Sequence, residues 1–271
     1  MDKLIRDEME GFRPRIILMG SGGFLGAELY KQLIIEGYSP ERATIDLSLL
    51  KEKFSNHKKD PKATLLISMA WSSNSKSNYL MDPENLNWAK KHIEVAKFCM
   101  ENGYSLLVPG TCFEYDDDTK TNYVKSKVQV RSFLQENMSE ENYFWLRYFY
   151  IFSLEHHRPG LVRSALQARD SKTPFYLENI YGRHDYIHLY DAVGQTVDII
   201  RNRLTGVWDI GTGCLRGNIE LISKIKNLEL RYPLFPPKLK TALVGWEDRA
   251  KKLIPNHADF TLFTNNFFDG V

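Results

Sequence analysis

The chain has 271 residues, enough for one large domain or two small ones. Hydrophobic residues make up 43% of it and charged residues 26%, as in ordinary globular proteins. The net charge is +2 without a dense basic run, which argues against nucleic acid or an anionic membrane as the main partner.

The start of the chain and its cysteines favour a cytoplasmic protein. Residues 1–13 are charged and polar, so no signal peptide is expected. No apolar run reaches the ~20 residues that a membrane helix needs. The cysteines Cys99, Cys112 and Cys214 are far apart, which fits a reducing compartment and forms no zinc pattern. We therefore expect a cytoplasmic protein without a metal and without a membrane partner.

A glycine-rich turn separates the first predicted strand, Arg15–Met19, from the first predicted helix, Ala27–Glu36. The strand is mostly apolar, as a short buried strand would be. The turn reads Gly20-Ser21-Gly22-Gly23-Phe24-Leu25-Gly26. Its spacing, Gly-x-x-Gly-x-x-Gly, is a shifted form of the common dinucleotide fingerprint.

The three regularly spaced glycines each have a predicted task. Gly20 lets the chain leave the strand sharply, and Gly26 lets the new helix pack closely on the strand. Gly23 has no Cβ, so a pyrophosphate can approach the backbone. The helix N-terminus then offers free N–H groups and its positive dipole end to the phosphates. The turn predicts a dinucleotide site, and an ordinary strand–loop–helix joint is the alternative.

Strands and helices alternate up to residue 153. The further predicted strands span residues 42–46, 63–70, 105–109 and 143–152. The predicted helices span residues 48–58, with Ser48 at the N-cap, 83–102 and 123–136, and a polar loop covers 116–122. This alternation predicts an α/β fold, a Rossmann-type doubly wound parallel sheet with right-handed crossovers.

The pattern becomes irregular after Ser153. A helix at 161–169, short strands at 185–189 and 207–210, and a helix at 219–226 are predicted there, before prolines break the pattern. We expect residues 1–153 to form mainly the dinucleotide-binding domain. Residues 154–271 should form mainly a smaller substrate-binding lobe over the carboxyl ends of the strands, with segments that could return to the sheet.

Tyr123 and Lys127 lie four positions apart on a predicted helix and therefore share one face. A phenol with a pKa near ~10 is a poor acid–base catalyst at neutral pH, but a nearby ammonium lowers that pKa. The pair could therefore transfer a proton to or from a substrate oxygen. The alternative is an amphipathic helix with a half-buried tyrosine and a solvated lysine. Lys125 is a second lysine candidate by composition, but only Lys127 shares the face of Tyr123.

Thr111 follows the predicted strand 105–109 and Gly110, at the carboxyl edge of the sheet. A hydroxyl at this edge could hydrogen-bond a substrate oxygen. The alternative is a turn threonine that bonds its own backbone.

In its ordered motifs the chain resembles the extended short-chain dehydrogenase/reductase family, the nucleotide-sugar epimerases, dehydratases and ketoreductases. Six blocks match in order across residues 15–213, the last two more weakly. They are Gly20–Gly26, Leu65–Ala70, Gly110–Tyr115, Tyr123-x-x-x-Lys127, Asp185–His188 and Asp209–Gly213.

The resemblance implies roles for individual residues. Tyr123 would be the acid/base, Lys127 would also hold the nicotinamide ribose, and Thr111 would bond the sugar oxygen that is reduced or oxidised. Asn85 would be the family's active-site asparagine, on the substrate side. The cofactor would also contact the turn and the end of the fourth family strand, at Gly20, Ser21, Gly22, Gly23, Phe24, Leu25, Met69, Ala70 and Trp71.

Some residues depart from the family pattern, and these departures restrict the activity and the substrate contacts that the resemblance implies. Cys112-Phe113 stand where family dehydratases carry Asp-Glu, so a 4,6-dehydratase is not expected. The cysteine of the fucose-synthase branch would align with Phe113, so its role does not transfer to Cys112. His184 precedes Asp185 where the family has its substrate-phosphate arginine. Arg183, one position earlier, could still reach a pyrophosphate as a bidentate donor. Arg147 matches a family strand motif or forms an ion pair within the fold.

Asp46 leaves the choice between NAD and NADP open. It could end the second family strand and bond the adenosine ribose diols, which would favour NAD. Alternatively, Asp46-Leu47-Ser48 could end the third family strand, and the spacing to Ala70 fits this second option somewhat better. The cofactor is therefore written NAD(P)(H), with its phosphate form unresolved.

Together these features predict an NAD(P)-dependent ketoreductase or dehydrogenase that acts on a nucleotide-linked deoxysugar. One alternative is a nucleotide-sugar epimerase with tightly bound NAD. An alternative of another class is a non-catalytic dinucleotide-binding regulatory protein, although such a protein has no use for Thr111, Tyr123 and Lys127. By resemblance, helices 83–102 and 123–136 would pair two copies into a homodimer.

Overall fold

The structure is a computed structural model, and it describes residues 13–54, 64–71, 78–115, 121–155, 160–232, 252–255 and 257–269. They form two compact units. The first contains the described residues up to Arg147 together with Thr196–Trp208, and the second contains Tyr148–Gln195 and the described residues from Asp209 onwards. The roles predicted for residues 1–153 and 154–271 stay predictions.

The strands of the described chain are β1 Arg15–Met19, β2 Glu41–Ala43, β3 Thr64–Ser68, β4 Ser105–Thr111, β5 Tyr143–Tyr148, β6 Tyr150–Phe152, β7 Phe175–Tyr176, β8 Arg183–His184, β9 Tyr186–His188, β10 Gly206–Ile210, β11 Arg216–Gly217 and β12 Leu230–Arg231. The α-helices are α1 Phe24–Ile35, α2 Leu47–Phe54, α3 Glu84–Asn102, α4 Asn122–Asn137, α5 Leu161–Asp170, α6 Leu189–Arg201, α7 Asn218–Ser223 and α8 Leu262–Asp269. No helix in this part of the chain is both long enough and apolar enough to span a bilayer.

A six-stranded sheet with the order β10-β5-β4-β3-β1-β2 confirms the predicted Rossmann-type α/β fold. β1 pairs in parallel with β2 and β3, and β3 pairs in parallel with β4. β3 is buried along its whole length, as its continuous apolar sequence predicts for a strand covered on both faces. The core of the first unit includes the large buried side chains Phe54, Phe98 and Trp145.

The position of β2 decides which family strand precedes Asp46. β2 pairs with β1 at the edge of the sheet, where the doubly wound order 3-2-1-4-5-6 has its second strand. Asp46 therefore follows the second family strand. The alternative that Asp46-Leu47-Ser48 ends the third family strand, which the spacing to Ala70 favoured somewhat, was wrong. The predicted strand 42–46 is also too long, because the chain leaves the ladder after Ala43.

Asp46, and not Ser48, is the N-cap of the next helix, α2. Its Oδ1 accepts hydrogen bonds from the backbone N–H groups of Ser48 (2.9 Å) and Leu49 (3.4 Å), as an N-cap side chain does. The predicted cap at Ser48 was therefore wrong by two positions. The predicted helix end at Lys58 and most of the predicted loop 116–122 lie outside the described residues.

The predicted strand 143–152 is divided between two sheets. β5 ends at Tyr148, and β6 pairs in parallel with β9 in a separate two-stranded sheet. The switch occurs at Phe149, whose N–H donates to the Ile210 carbonyl, whereas the N–H of Tyr150 donates to the Asp185 carbonyl. Consecutive residues thus change hydrogen-bond partners, which the continuous apolar sequence does not reveal.

The helix α6 was not predicted from the sequence, and its residues up to Gln195 belong to the second unit while those from Thr196 belong to the first. The predicted strand 185–189 ends at His188, and α6 follows immediately. Its buried residues Leu189, Val193, Val197 and Ile200 recur at helical spacing. The C-terminal helix α8 was not predicted either, and the prolines after position 232 lie outside the described residues.

Two of the weaker motif blocks meet inside the second unit. The buried carboxylate of Asp185 accepts hydrogen bonds from the Thr212 N–H (2.9 Å), the Thr212 hydroxyl (2.6 Å) and the Gly213 N–H (2.8 Å). Burial raises the pKa of Asp185, while the Thr212 hydroxyl and these N–H groups oppose that effect. The Asp185–His188 and Asp209–Gly213 blocks are therefore joined through the carboxylate of Asp185.

Candidate active site

Gly20 and Gly26 are required by the geometry of the turn between β1 and α1. Gly20 has a φ of +78°, and a Cβ there would lie 2.6 Å from the backbone nitrogen of Ala70. A Cβ on Gly26 would overlap the carbonyl oxygen of Gly20. These contacts confirm the sharp exit from β1 and the close approach of α1, and they place the turn beside the end of β3.

Gly22 and Gly23 face open space instead. A Cβ on Gly22 would meet nothing within 4 Å, and a Cβ on Gly23 would meet only the Gly20 carbonyl oxygen, at 3.4 Å. Gly23 is the N-cap of α1 but contributes no side-chain hydrogen bond, and the first turn carries no acidic residue. The positive end of the α1 dipole is thus uncapped by side chains of its own helix, which fits a phosphate-bearing cofactor.

Tyr123 and Lys127 share one face of α4, as predicted, and the Lys127 Nζ lies 5.6 Å from the centre of the Tyr123 ring. The helix begins at a Thr121 cap, whose hydroxyl oxygen accepts from the N–H of Val124. The N–H of Tyr123 donates to the Leu80 carbonyl at 2.9 Å, so the first turn of α4 is fastened to the preceding segment.

Lys127 is almost fully buried, which the sequence did not predict. Its Nζ donates a 2.7 Å hydrogen bond to the Pro109 carbonyl in β4 and lies 3.6 Å from the centre of the Trp71 ring. Burial lowers the pKa of Lys127 to about 7, while the negative charge of Glu114 opposes that effect. The alternative of a solvated lysine is excluded for Lys127, whereas Lys125 is exposed.

The end of β3 brings three predicted cofactor contacts beside the turn and α4. The N–H of Met69 donates to the Met19 carbonyl at 2.9 Å, so β3 stays beside β1 past its last ladder residue. Ala70 lies against Gly20, and the ring of Trp71 stands edge-on to Tyr123 with 6.2 Å between ring centres.

Asn85 is only 2% exposed, and its side chain is hydrogen-bonded to Trp71 and to the segment before α3. Its Oδ1 accepts from the indole N–H of Trp71 at 2.9 Å. Its Nδ2 donates to the carbonyls of Tyr79 (2.7 Å) and Asp82 (3.0 Å). The side chain therefore positions Trp71 and the segment that packs against α4. Contact between Asn85 and a substrate stays a prediction.

His92 is a buried member of the site that the sequence reading missed. Its Nδ1 lies 2.8 Å from the Trp88 carbonyl, which can only accept, so Nδ1 carries the hydrogen. Its Nε2 then accepts from the Ser68 hydroxyl at 2.9 Å. Burial is the main cause that lowers the pKa of His92 to about 3, so the ring is neutral. It packs 4.9 Å from the Trp71 ring. Its spacing from Ala89 and Ala96 on the apolar face of α3 is the signal that marks it as buried.

Thr111 ends β4 and is 5% exposed. Its N–H donates to Glu114 Oε1 at 2.8 Å, and its hydroxyl oxygen accepts from the N–H of Phe113 at 3.4 Å. The second contact is the turn interaction considered as the alternative, and it leaves the hydroxyl hydrogen able to donate. Lys127 is bonded to Pro109 two residues earlier, so β4 links Thr111 to α4.

The other predicted site residues, Asp46, Arg183 and Arg147, make contacts of their own within the fold. Asp46 is exposed, and hydrogen bonds from Ser48 and Leu49 lower its pKa, so the carboxylate already serves as a helix cap. Arg183 is exposed in the second unit, and its Nη2 donates to the Leu215 carbonyl at 3.1 Å. The guanidinium of Arg147 lies 4.2 Å from the centre of the Tyr115 ring. No group of three or more metal-ligating side chains occurs among the described residues.

Comparisons with known proteins find similarity at the level of the fold. No protein-family model matches the sequence, and the search of curated proteins gives no match. WbmG of Bordetella bronchiseptica, solved with NAD and UDP, is 17% identical with a TM-score of 0.66, and the alignment covers 95% of this chain and 89% of that one. UDP-N-acetylglucosamine 4-epimerase from Bacillus cereus is 15% identical with a TM-score of 0.63, covering 81% and 84%.

A dTDP-4-dehydrorhamnose reductase from Clostridium acetobutylicum is also similar, at 12% identity and a TM-score of 0.63, with 81% of this chain and 83% of that chain covered. At these identities the comparisons establish the architecture. The chain therefore shares the fold of these nucleotide-sugar epimerases and reductases.

Proposed function

We propose that this protein is an NAD(P)-dependent oxidoreductase, most specifically a ketoreductase or dehydrogenase that acts on a nucleotide-linked deoxysugar. The observation that carries the proposal is the position of the Lys127 ammonium. It is buried, bonded to the Pro109 carbonyl and stacked on Trp71, on the helix face that carries Tyr123. A lysine is rarely buried in this way unless its charge is paired, and groups whose pKa is strongly shifted cluster at functional sites.

The residues at the end of the first strands fit the cofactor. The backbone of the turn, at Gly22 and Gly23, would receive the pyrophosphate, because both positions are open and the N-terminus of α1 lacks a side-chain cap. The nicotinamide half would lie along Met69, Ala70 and Trp71. The fold neighbour WbmG was solved with NAD, which supports this cofactor class.

The side chains of the site can manage the proton that accompanies reduction. The bound cofactor would supply a hydride to a sugar carbonyl carbon. The Tyr123 hydroxyl then donates its proton to the carbonyl oxygen, and the Lys127 ammonium stabilises the phenolate that remains. The Thr111 hydroxyl donates a hydrogen bond to the same oxygen as negative charge develops on it. In the oxidative direction these groups act in reverse.

The substrate class rests on the fold neighbours and on Arg183. WbmG was solved with UDP, and the other neighbours named above act on nucleotide-linked sugars according to their names. Arg183 is exposed and is proposed as a cation for the substrate diphosphate. We further propose that the protein is cytoplasmic and forms a homodimer through α3 and α4.

Epimerisation is the second candidate, because several fold neighbours are 4-epimerases. An epimerase retains its cofactor through each turnover, whereas a reductase releases the oxidised form. NAD that copurifies with the protein and does not exchange with added NAD would favour the epimerase.

The experiment that tests the proposal is a screen for cofactor oxidation. NADH and NADPH would each be offered with 4-keto-6-deoxy sugars carrying UDP, dTDP, GDP or CDP, and loss of absorbance at the nicotinamide band would be followed. We expect one nucleotide to support turnover. Absence of both oxidation and epimerised product, with intact cofactor binding, would replace the proposal with the non-catalytic dinucleotide-binding protein.

A further inference from the structure

Glu114 is a buried acid that the proposed chemistry does not use. We infer that it is a positioning residue, whose carboxylate holds the Thr111 backbone in place and supplies a buried negative charge that acts on Lys127. This inference rests on the proposed function of Thr111 and Lys127.

The Glu114 side chain has no solvent exposure and gathers donors from three elements. Oε1 accepts from the Thr111 N–H of β4 at 2.8 Å. Oε2 accepts from the indole N–H of Trp145 in β5 at 3.0 Å. The guanidinium of Arg131 in α4 lies 3.2 Å from Oε2. One carboxylate thus ties the end of β4 to the neighbouring strand and to the helix that carries Tyr123 and Lys127.

These contacts favour the ionised form of Glu114. All three partners are donors, so a protonated carboxyl would bring a hydrogen with no acceptor among them. Burial raises the pKa of Glu114, but the Thr111 N–H, Arg131, Arg147 and the Trp145 N–H oppose that effect. Such a buried carboxylate is expensive unless its charge is compensated, as it is here by two arginines.

Gly110 provides the space for this carboxylate. A Cβ on Gly110 would overlap the indole nitrogen of Trp145 and lie 2.7 Å from Glu114 Oε1. Its φ is not in the left-handed region, so the backbone itself does not demand glycine. Gly110 therefore serves to let Glu114 and Trp145 meet directly beneath Thr111.

Glu114 and Lys127 are bonded to the same end of β4. The Glu114 carboxylate accepts from the Thr111 N–H, and the Lys127 Nζ donates to the carbonyl of Pro109, two residues earlier in that strand. Burial lowers the pKa of Lys127, and Glu114 is the charged group that raises it again. Among the described residues, the Trp71 and Tyr123 rings and the neutral His92 also lie near this ammonium. Removal of the Glu114 charge should therefore let Lys127 lose its proton at a lower pH, which weakens its support of the Tyr123 phenolate.

The test compares Glu114→Gln and Glu114→Asp, with Glu136→Gln on an exposed turn of α4 as the control. Glu114→Gln removes the charge at nearly constant shape. Glu114→Asp keeps the charge but is one methylene too short to hold Thr111 and Arg131 together. The pH titration of Lys127 would be followed by the 13Cε resonance of labelled lysine, assigned by its absence in Lys127→Met. The amide proton of Thr111 would report the hydrogen bond to the carboxylate.

We expect Lys127 to titrate at a lower pH in Glu114→Gln and near the wild-type pH in Glu114→Asp. The Thr111 amide resonance should move upfield in both variants, and Glu136→Gln should change neither signal. Wild-type titration and an unchanged Thr111 amide in folded Glu114→Gln would overturn the inference. If Glu114→Gln does not fold, an unchanged Thr111 amide in Glu114→Asp would overturn it.

Kinetics separate this inference from the proposed function. In an active enzyme, kcat for Glu114→Gln should fall about 10–100-fold, with a smaller change in KM and a shifted pH profile. The two resonance measurements need no substrate. If the wild type has no reductase activity but both resonances respond as expected, the proposed function fails while the structural role of Glu114 stands.

Discussion

At the scale of single residues, the site is organised around a charge that is costly to bury. Lys127 is held by one carbonyl, one aromatic face and the field of a buried carboxylate, and burial still lowers its pKa to about 7. The aromatic face is itself fixed, because Asn85 bonds the Trp71 indole and His92 packs against its ring. Burial of the Lys127 charge therefore lowers the stability of the fold, and it places an ammonium beside Tyr123.

This arrangement predicts that Lys127 contributes to the pH dependence of stability. The pKa of Lys127 is about 7 in the folded protein and near ~10.4 in an unfolded chain. Between these values the unfolded state binds more protons, so the contribution of Lys127 to stability rises with pH, by up to about 1.4 kcal/mol per pH unit. Below pH 7 this contribution is constant and at its least favourable.

Urea unfolding of the cofactor-free protein from pH 7 to pH 10 would measure this effect. The free energy of unfolding of the wild type should rise with pH relative to that of Lys127→Met. Lys125→Met is the matched control, because Lys125 is exposed on the same helix, and its difference from the wild type should stay flat. A flat difference for Lys127→Met as well would show that Lys127 keeps an ordinary pKa.

At the scale of elements, the turn between β1 and α1 contains two kinds of glycine. The packing of the fold requires one kind, whereas a bound ligand would require the other. Gly20 and Gly26 are packed against backbone, whereas Gly22 and Gly23 are open. Gly23 has a φ of −82° and a ψ of 170°, which any residue can adopt. A side chain at Gly23 should therefore change binding without changing the fold.

Gly23→Val should bind NAD(P) at least about tenfold more weakly, because the branched side chain takes the space of the pyrophosphate and costs at least one N–H···phosphate hydrogen bond. Its melting temperature should match the wild type. Calorimetric titration with NAD and NADP measures both affinities. Gly217→Val is the matched control, since Gly217 is another N-cap glycine with extended backbone and no close neighbour.

Gly26→Ala should give the opposite pattern of effects. Its Cβ would overlap the Gly20 carbonyl oxygen, so the unfolding free energy should fall by about 1–3 kcal/mol. Equal stability of Gly26→Ala and the wild type would contradict the close packing of α1 on β1. Wild-type cofactor affinity in Gly23→Val would remove the turn from the proposed binding site.

Several elements were predictable from sequence for a physical reason. β1 and β3 are covered on both faces and are therefore almost entirely apolar, which makes them visible in the sequence. The pairing of Tyr123 with Lys127 needs only the helical repeat. By contrast, α6 begins directly after β9 with no Ser, Thr, Asp or Asn cap before it, so its start carries no signal.

Other features depend on contacts between distant parts of the chain. The donors to Glu114 come from β4, α4 and β5, and no local pattern reveals that they converge. Asp46 was ambiguous because an acid after a strand can cap a helix or bind a ribose, and only the pairing of β2 with β1 decides which strand precedes it. The change of sheet at Phe149 likewise depends on hydrogen-bond partners that are distant in sequence, Ile210 and Asp185. The local sequence is apolar on both sides of Phe149 and does not mark the change.

At the scale of the whole molecule, α3 presents an apolar stripe that bears on assembly. Leu86 and Met100 are 41% and 42% exposed, and Ile93 lies between them at seven-residue spacing. A second copy could cover this stripe, as the proposed pairing through α3 and α4 requires. The first unit contains both helices, so the pairing would leave the Rossmann-type sheet intact.

Light scattering at several concentrations tests the assembly. We expect a homodimer for the wild type and a monomer for the double variant Leu86→Glu/Met100→Glu, because buried like charges would oppose pairing. Ile219→Glu, at an exposed apolar position of the second unit, is the control and should remain dimeric. A wild type that is monomeric at high concentration would refute the proposed dimer.

Tyr123→Phe tests whether Tyr123 supplies the proton in a reduction that uses NAD(P)H. The substitution keeps the ring that packs against Trp71 and Tyr79 and removes only the hydroxyl. With the nucleotide sugar found active for the wild type, kcat should fall about 10²–10⁴-fold. Cofactor affinity should be little changed, and Tyr176→Phe, at an exposed position of the second unit, should behave as the wild type. A Tyr123→Phe protein that turns over at the wild-type rate would show that Tyr123 does not supply the proton.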